Sequence, residues 1–136
     1  MFQRDECWRR FVDSLTAHGQ AYARLHINYD IRNSAADTSQ RMLNAIEPGS
    51  VVPVHRHRAT SETVVVLRGR VVEEYYSPDG VVEAVFEVSA GGPVCAHNIP
   101  AGTWHTLRAL ERGTVILEMK DGVYEPMSEE NILTIG

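Results

Sequence analysis

The chain has 136 residues, of which 43% are hydrophobic, and its formal net charge is -5 at neutral pH. A chain of this length forms one domain and buries a core without disulfide support. Its acidic balance excludes the basic surface that holds a phosphate backbone, so no nucleic acid partner is expected. Cys7 and Cys95 lie far apart in the chain and are expected to be free thiols that pack inside the fold.

The chain lacks the apolar segments that direct proteins to membranes. No charged and then apolar leader opens it, and no apolar run approaches the about 18 residues that a spanning helix needs. We therefore expect a cytoplasmic protein with no membrane partner.

The N-terminal segment predicts an amphipathic helix. Trp8, Phe11, Val12 and Leu15 recur at helical spacing, and Gly19 follows as an end signal. We expect this helix, within residues 1–19, to cover the flank of a sheet with its aromatic and aliphatic stripe.

The remainder of the chain predicts β-structure. Short segments rich in β-branched residues alternate with turns, among them the hairpin sequence at 77–80. The predicted strands are residues 21–30, 40–47, 63–67, 70–76, 81–88, 94–99, 103–110 and 114–120. Many short strands with frequent turns are typical of a sandwich or a small barrel.

Residues 49–69 have the pattern of a metal site on extended chain. His55 and His57 are two residues apart, so in an extended segment their imidazoles point to the same face. Glu62 follows after a short polar stretch that allows the chain to fold back. His105 lies just beyond a tight Pro-Ala-Gly turn and is the candidate for a further ligand. Imidazole nitrogen and carboxylate oxygen together suit a transition metal.

These spacings resemble the cupin superfamily. Gly49, His55, His57, Glu62 and Gly69 occupy the five defining positions of the first cupin motif. Pro100, Gly102 and His105 match the core of the second motif, while Val94 and Ala109 replace its glycine and asparagine. The resemblance implies a mainly β fold, a double-stranded β-helix or jelly-roll barrel over residues 40–120, within a single cupin domain spanning 1–136. It also implies a metal held by His55, His57, Glu62 and His105.

A narrower resemblance covers most of the chain. The segments 40–45 and 118–124, together with the two histidine motifs, are similar to WbuC-type cupin-fold metalloproteins. That family is found in gene clusters for surface-polysaccharide sugars, which implies a role in surface-polysaccharide metabolism.

The implied ligand set favours a catalytic site. Three imidazoles and one carboxylate leave one or two open positions on a divalent Fe, Mn, Ni, Co or Zn ion and disfavour Ca or Mg. We expect a metal-dependent enzyme acting on a small polar metabolite such as a sugar or sugar nucleotide, through isomerisation or epimerisation. The alternatives are an iron-dependent dioxygenase and a non-catalytic sensor or binding module for a small ligand. The sequence shows no general base beyond the ligands, so no catalytic residue is assigned.

Several polar residues are candidates for substrate binding. They are Gln40, Asn44, Arg41, Arg68, Lys120 and Tyr124. Each of them also has an ordinary interpretation as a solvated charge, a sheet-edge contact or a core phenol. His26 and His97 lack partners at ligand spacing and are interpreted as structural or exposed. The cupin resemblance further implies a homodimer, for which the edge-like segment 21–30 is the candidate interface.

Overall fold

The computed structural model describes residues 2–136, with side chains described from residue 9 onward. One long helix is followed by eight strands and a short 3-10 helix. The elements are α1 (Phe2–Ala21), β1 (His26–Asp30), β2 (Ser39–Ile46), β3 (Glu62–Arg68), β4 (Arg70–Tyr76), β5 (Val82–Ser89), β6 (Ala96–Ile99), β7 (Trp104–Ala109), β8 (Thr114–Asp121) and the 3-10 helix Glu129–Asn131. The side chains of Cys7 and Trp8 lie outside the described part of the chain.

The strands form two antiparallel sheets. The larger sheet has the order β1-β2-β8-β3-β6, and the smaller has the order β5-β4-β7. The segment before β3 adds isolated bridges, in which His55 pairs with His105 of β7 and with Ile132. These bridges attach that segment to β7, which is an edge strand of the smaller sheet.

The space between the sheets is the main core. Alternate residues of each strand point inward, because successive side chains of a strand face opposite sides. Val64, Val66 and Ile116 come from the larger sheet, and Val71 and Val88 from the smaller; none of these side chains is more than 3% exposed. Burial of each such side chain stabilises the fold by about 1.5–3 kcal/mol.

The helix covers the outer face of the larger sheet. Val12 and Leu15 pack against Leu43, Ala45 and Val115, whose side chains alternate with the inward-facing residues of β2 and β8. The predicted flank position of the helix is therefore confirmed.

The strand predictions are accurate in number and order and differ mainly at the ends. The predicted strand 21–30 begins only at His26, because α1 continues to Ala21 and a turn follows it. Cys95 is a free thiol, but it is exposed, so its predicted packing role is wrong. Among residues 2–136, no helix combines the length and the apolar character needed to span a bilayer.

Candidate metal centre

Two of the candidate ligands are fixed by a shared backbone ladder. The His55 amide donates to the His105 carbonyl at 3.0 Å, and the His105 amide donates to the His55 carbonyl at 2.9 Å. The Gly102 amide donates to the His57 carbonyl at 2.7 Å, so the turn before β7 is tied to the first histidine segment. The two sequence motifs thus meet through main-chain hydrogen bonds between residues that are 45 and 50 positions apart in the chain.

Glu62 enters the same space as the first residue of β3. Its side chain is 4% exposed, and its Oε2 lies 3.1 Å from His57 Nε2 and 3.4 Å from His105 Nε2. One ligand atom from each of His55, His57, Glu62 and His105 lies within 4.8 Å of all the others. The structure therefore brings together the four residues that the sequence places at a metal.

Hydrogen bonds on the far side of two rings orient them for ligation. His55 Nδ1 lies 2.8 Å from the Pro53 carbonyl, and His105 Nδ1 lies 2.9 Å from the Thr103 carbonyl. A carbonyl only accepts, so each Nδ1 carries the proton and each Nε2 has a free lone pair. This is the arrangement that fixes the tautomer of a metal-ligating histidine.

Two atoms of the cluster have no hydrogen bond that would explain their burial. His57 Nε2 and Glu62 Oε2 are buried and unsatisfied in the described part of the chain, although they are 3.1 Å apart. Burying polar atoms without partners costs about 1–3 kcal/mol each, and a cation between them would satisfy both. The residues present therefore fit a metal ion.

The pKa values in the cluster respond to burial and to the neighbouring charges. Burial lowers the pKa of His105, but the Glu62 carboxylate raises it above its ordinary value, and a cation bound in place of the proton would use the same carboxylate. Burial, followed by the nearby His105, lowers the pKa of His55 to about 4, which keeps that imidazole neutral. Burial alone would raise the pKa of Glu62, but the imidazoles of His105 and His57 close to its carboxylate hold that pKa well below its ordinary value. A neutral imidazole and an ionised carboxylate are the forms that bind metals.

The cluster opens to solvent on the side of His57. The side chain of His57 is 22% exposed, while those of Glu62 and His105 are 4% and 3% exposed. His57 lines a cavity of about 660 Å³ whose opposite wall is the C-terminal segment 122–131. That segment is held across the barrel mouth, because the Arg56 amide donates to the Asn131 carbonyl and the Leu133 amide donates to the Val54 carbonyl.

Three of the six residues proposed from sequence for substrate binding line this cavity, namely Gln40, Lys120 and Tyr124. Arg41 lies beside it, where its Nη2 donates to Asp37 at 2.7 Å. Asn44 faces the barrel interior and donates to Glu118 at 2.7 Å.

Arg68 lies elsewhere. Its guanidinium donates to Asp13 of α1 at 2.8 Å, at the opposite end of β3 from Glu62. Six residues of strand span about 20 Å, so Arg68 is not among the residues that line the cavity. This placement gives no support for its predicted role in substrate binding.

The interior also holds acidic groups that the sequence interpretation missed. Removal from water and the charge of Glu62 raise the pKa of Glu118 to about 8. Glu73 is fully buried, with its Oε2 3.2 Å from His97 Nε2. Glu73 and His97 lie one layer deeper than the metal cluster, since Tyr75 pairs with His105 and Val64 pairs with His97. The sequence did contain an indication of both acids. Residues two apart in a strand share a face, so Glu73 and Glu118 lie on the same face as core residues of their strands.

Solved structures with this fold include KdgF, a capsular polysaccharide assembling protein and a variant of an oxalate decarboxylase. KdgF from Halomonas sp. is 16% identical, with a TM-score of 0.57, over 71% of this chain and 80% of that chain. CapF, a capsular polysaccharide assembling protein from Staphylococcus aureus, is 21% identical, with a TM-score of 0.59, over 73% of this chain and 29% of that chain. A variant of Bacillus subtilis oxalate decarboxylase is 18% identical, with a TM-score of 0.59, over 79% of this chain and 28% of that chain.

This chain thus spans most of KdgF but less than a third of CapF or oxalate decarboxylase. No curated protein sequence gives a significant match. The structural neighbours are cupin-fold proteins, and the two sheets, the single helix and the His/Glu cluster agree with them. A family model described as "Domain of unknown function (DUF6016)" matches residues 8–88, more than half of the chain. The chain therefore belongs to the DUF6016 family, and its barrel has the cupin fold.

Proposed function

We propose that the chain is a metal-dependent enzyme that acts on a small polar metabolite, such as a sugar or sugar nucleotide, by isomerisation or epimerisation. One observation carries the proposal. In the cluster of three imidazoles and one carboxylate, His55, Glu62 and His105 are buried, while His57 is partly exposed and lines a cavity of about 660 Å³. That volume suits a small metabolite.

His55, His57, Glu62 and His105 would hold one divalent transition metal, with Fe, Mn, Ni, Co and Zn all compatible with the donor set. When bound, such an ion supplies Lewis acidity toward a carbonyl or hydroxyl oxygen. The protein's part is to exclude water on the buried sides and to orient the substrate with the cavity residues. Epimerisation removes the proton next to a carbonyl and returns one to the same carbon, so it needs no electron donor or acceptor.

The analogy with neighbours supports a sugar substrate. CapF is by name a capsular polysaccharide assembling protein, and the WbuC-type resemblance suggests the same area of metabolism. Structural similarity at 16–21% sequence identity indicates a shared fold, whereas function depends on the residues of the site. The proposal of a WbuC-type protein of surface-polysaccharide metabolism therefore needs a direct test of activity.

Metal-loaded protein incubated with keto-sugar nucleotides in deuterated water should incorporate deuterium at the carbon next to the carbonyl. We expect His57→Ala to abolish the exchange and His18→Ala to leave it unchanged, because His18 is exposed on the helix and bonds only within it. Mass spectrometry of the recovered nucleotide measures the exchange. If the wild-type protein exchanges no proton with any metal, the isomerase proposal fails. Oxygen uptake with Fe²⁺ would then favour the dioxygenase alternative.

We further propose a homodimer formed through β1. Among the strands of residues 2–136, β1 pairs with β2 alone, so its other edge is open. Tyr29, whose ring centroid lies 4.9 Å from that of Phe11 on α1, is 46% exposed, and Ile31, just beyond the strand, is 39% exposed. An exposed strand edge is a template for pairing with a second chain. Sedimentation should show twice the 15.2 kDa mass of the chain, and Tyr29→Lys should shift the protein to monomer. A wild-type protein that remains monomeric at micromolar concentration would contradict this proposal.

A further inference from the structure

Lys120 lies opposite Glu62, one of the four proposed metal ligands, on the neighbouring strand. Gln40 on β2, Lys120 on β8 and Glu62 on β3 are register partners across three neighbouring strands. Residues that are opposite each other in antiparallel strands share a face, with Cβ atoms about 4.5–5.5 Å apart. The stem of Lys120 therefore begins next to that of a ligand residue, on the same inner face, and its side chain lines the cavity.

The cations along the cavity differ in how they are engaged. Arg58 pairs with Glu130 at 3.5 Å on the exposed rim. Arg56 donates from Nε to Asn131 and stacks over Trp104, with its guanidinium carbon 4.5 Å from the ring centroid. None of the ion pairs within 4.0 Å that the structure describes involves Lys120. Lys120 is the cavity cation that remains available to a ligand.

The acidic side chains near Lys120 already have other partners or lie on the exposed wall of the cavity. Its charge is felt by Glu62 and Glu118. Glu62 belongs to the metal cluster, and Glu118 Oε2 accepts from Asn44 at 2.7 Å. Asp121 and Glu125 lie on exposed parts of the wall. Once a divalent cation neutralises Glu62, the end of the cavity next to Lys120 carries an excess of positive charge.

We propose that the substrate is a 2-hydroxy or 2-oxo carboxylic acid, as in an acidic sugar derivative, whose carboxylate is bound by Lys120 next to the metal. This rests on the proposed function and specifies its substrate class. In such an acid the carboxylate is bonded directly to the carbon that bears the hydroxyl or oxo oxygen. The carboxylate could therefore contact Lys120 while the oxygen on the next carbon faces the metal, because Lys120 and the ligand Glu62 lie on adjacent strands. A sugar nucleotide would meet Lys120 through such a carboxylate on its sugar, because its phosphates lie several bonds from the reacting carbon.

The wall around Lys120 is held in place by its neighbour. Gln40 Nε2 donates to the Gly122 carbonyl at 3.0 Å, where the chain leaves β8 and turns over the barrel mouth. This bond fixes the start of the segment that closes the cavity. Gln40 is therefore a positioning residue for the wall, whereas Lys120 is the residue that we expect to contact the carboxylate.

Three small probes separate the possible ligand chemistries. Glycerate is a 2-hydroxy acid, glycerol is its neutral counterpart, and glycerol 2-phosphate carries a phosphate instead. Titration into Co²⁺-loaded protein, followed by calorimetry and by the Co²⁺ absorption spectrum, measures binding without turnover. We expect glycerate to bind more tightly than the other two. If glycerol binds equally well, if glycerol 2-phosphate binds more tightly, or if none of the three binds, the proposal is overturned.

Variants locate the contact. Lys120→Gln should weaken glycerate binding about 10- to 100-fold, the range for loss of a charged hydrogen bond, and should leave glycerol binding unchanged. Lys120→Arg keeps the charge and should retain most of the affinity. Arg58→Gln removes a cavity cation that is already paired and should have no effect. Equal metal content and thermal stability establish that the variants are folded.

An unchanged glycerate affinity in folded Lys120→Gln would refute the role of Lys120. Failure of the proposed function gives a different pattern, because an inactive binding protein would still show Lys120-dependent glycerate binding. If the enzyme is active but its glycerate affinity does not depend on Lys120, only the proposed substrate class is refuted.

Discussion

His105→Ala is expected to weaken the metal affinity of the protein at least about a hundredfold, and so to lower the metal that it retains after dialysis. Loss of a residue that merely supports a ligand already costs 10- to 100-fold in metal affinity, and His105 is itself the most buried imidazole of the cluster. Its Nε2 lies 3.4 Å from Glu62, at the centre of the donor set. Elemental analysis after dialysis against a fixed metal concentration gives the stoichiometry.

The matched controls for this prediction are two other histidines. His18 is exposed on α1, and His26 bonds to Ser50 at 2.9 Å, outside the cluster. Alanine at either position should leave one metal per chain. If His105→Ala, shown by circular dichroism to be folded, kept a full equivalent of metal, His105 would not be a ligand.

Gly69→Ala is expected to lower the free energy of unfolding by about 2–5 kcal/mol, from strained backbone and overpacking together. Gly69 has a φ of +81°, and a Cβ there would lie 2.9 Å from the Thr114 Cα. That contact is with main chain of the adjacent strand β8, which cannot move aside without disturbing the sheet. Denaturant unfolding monitored by tryptophan fluorescence measures the change.

Gly91→Ala separates the two contributions. Gly91 has a similar φ of +72°, but a Cβ there would meet no atom within 4 Å. This variant should lose only the conformational part, about 1–2 kcal/mol. If the two variants were equally stable, crowding against Thr114 would not explain the need for glycine at the end of the first cupin motif.

The parts of the fold predicted from sequence are those set by local spacing. The hairpin at 77–80 forms as expected, with the Ser77 amide donating to the Val81 carbonyl and the Gly80 amide donating to the Ser77 carbonyl. The four ligands converge because extended chain fixes the direction of His55 and His57, and short turns fix the approach of Glu62 and His105. The turn and strand geometries that cause this depend on a few neighbouring residues, so they can be predicted from the sequence alone.

The parts that were missed depend on contacts between distant segments. The Glu73 and His97 pair requires β4 and β6 of different sheets to face each other. The C-terminal wall of the cavity has no periodic pattern, and it is held by backbone hydrogen bonds to residues 54–56. Arg68 shows the limit of alternation, because β3 shifts register between Val66 and Arg68 and carries the side chain to the helix. Sequence spacing predicts direction locally, but not which distant segments meet.

The most direct test of the metal centre is an anomalous difference map from crystals of the metal-loaded protein, collected at the absorption edge of the bound metal. We predict one strong peak per chain, within bonding distance of Nε2 of His55, His57 and His105 and of the Glu62 carboxylate. No peak at that position, or a peak bound by other residues, would contradict the assignment of these four residues as ligands.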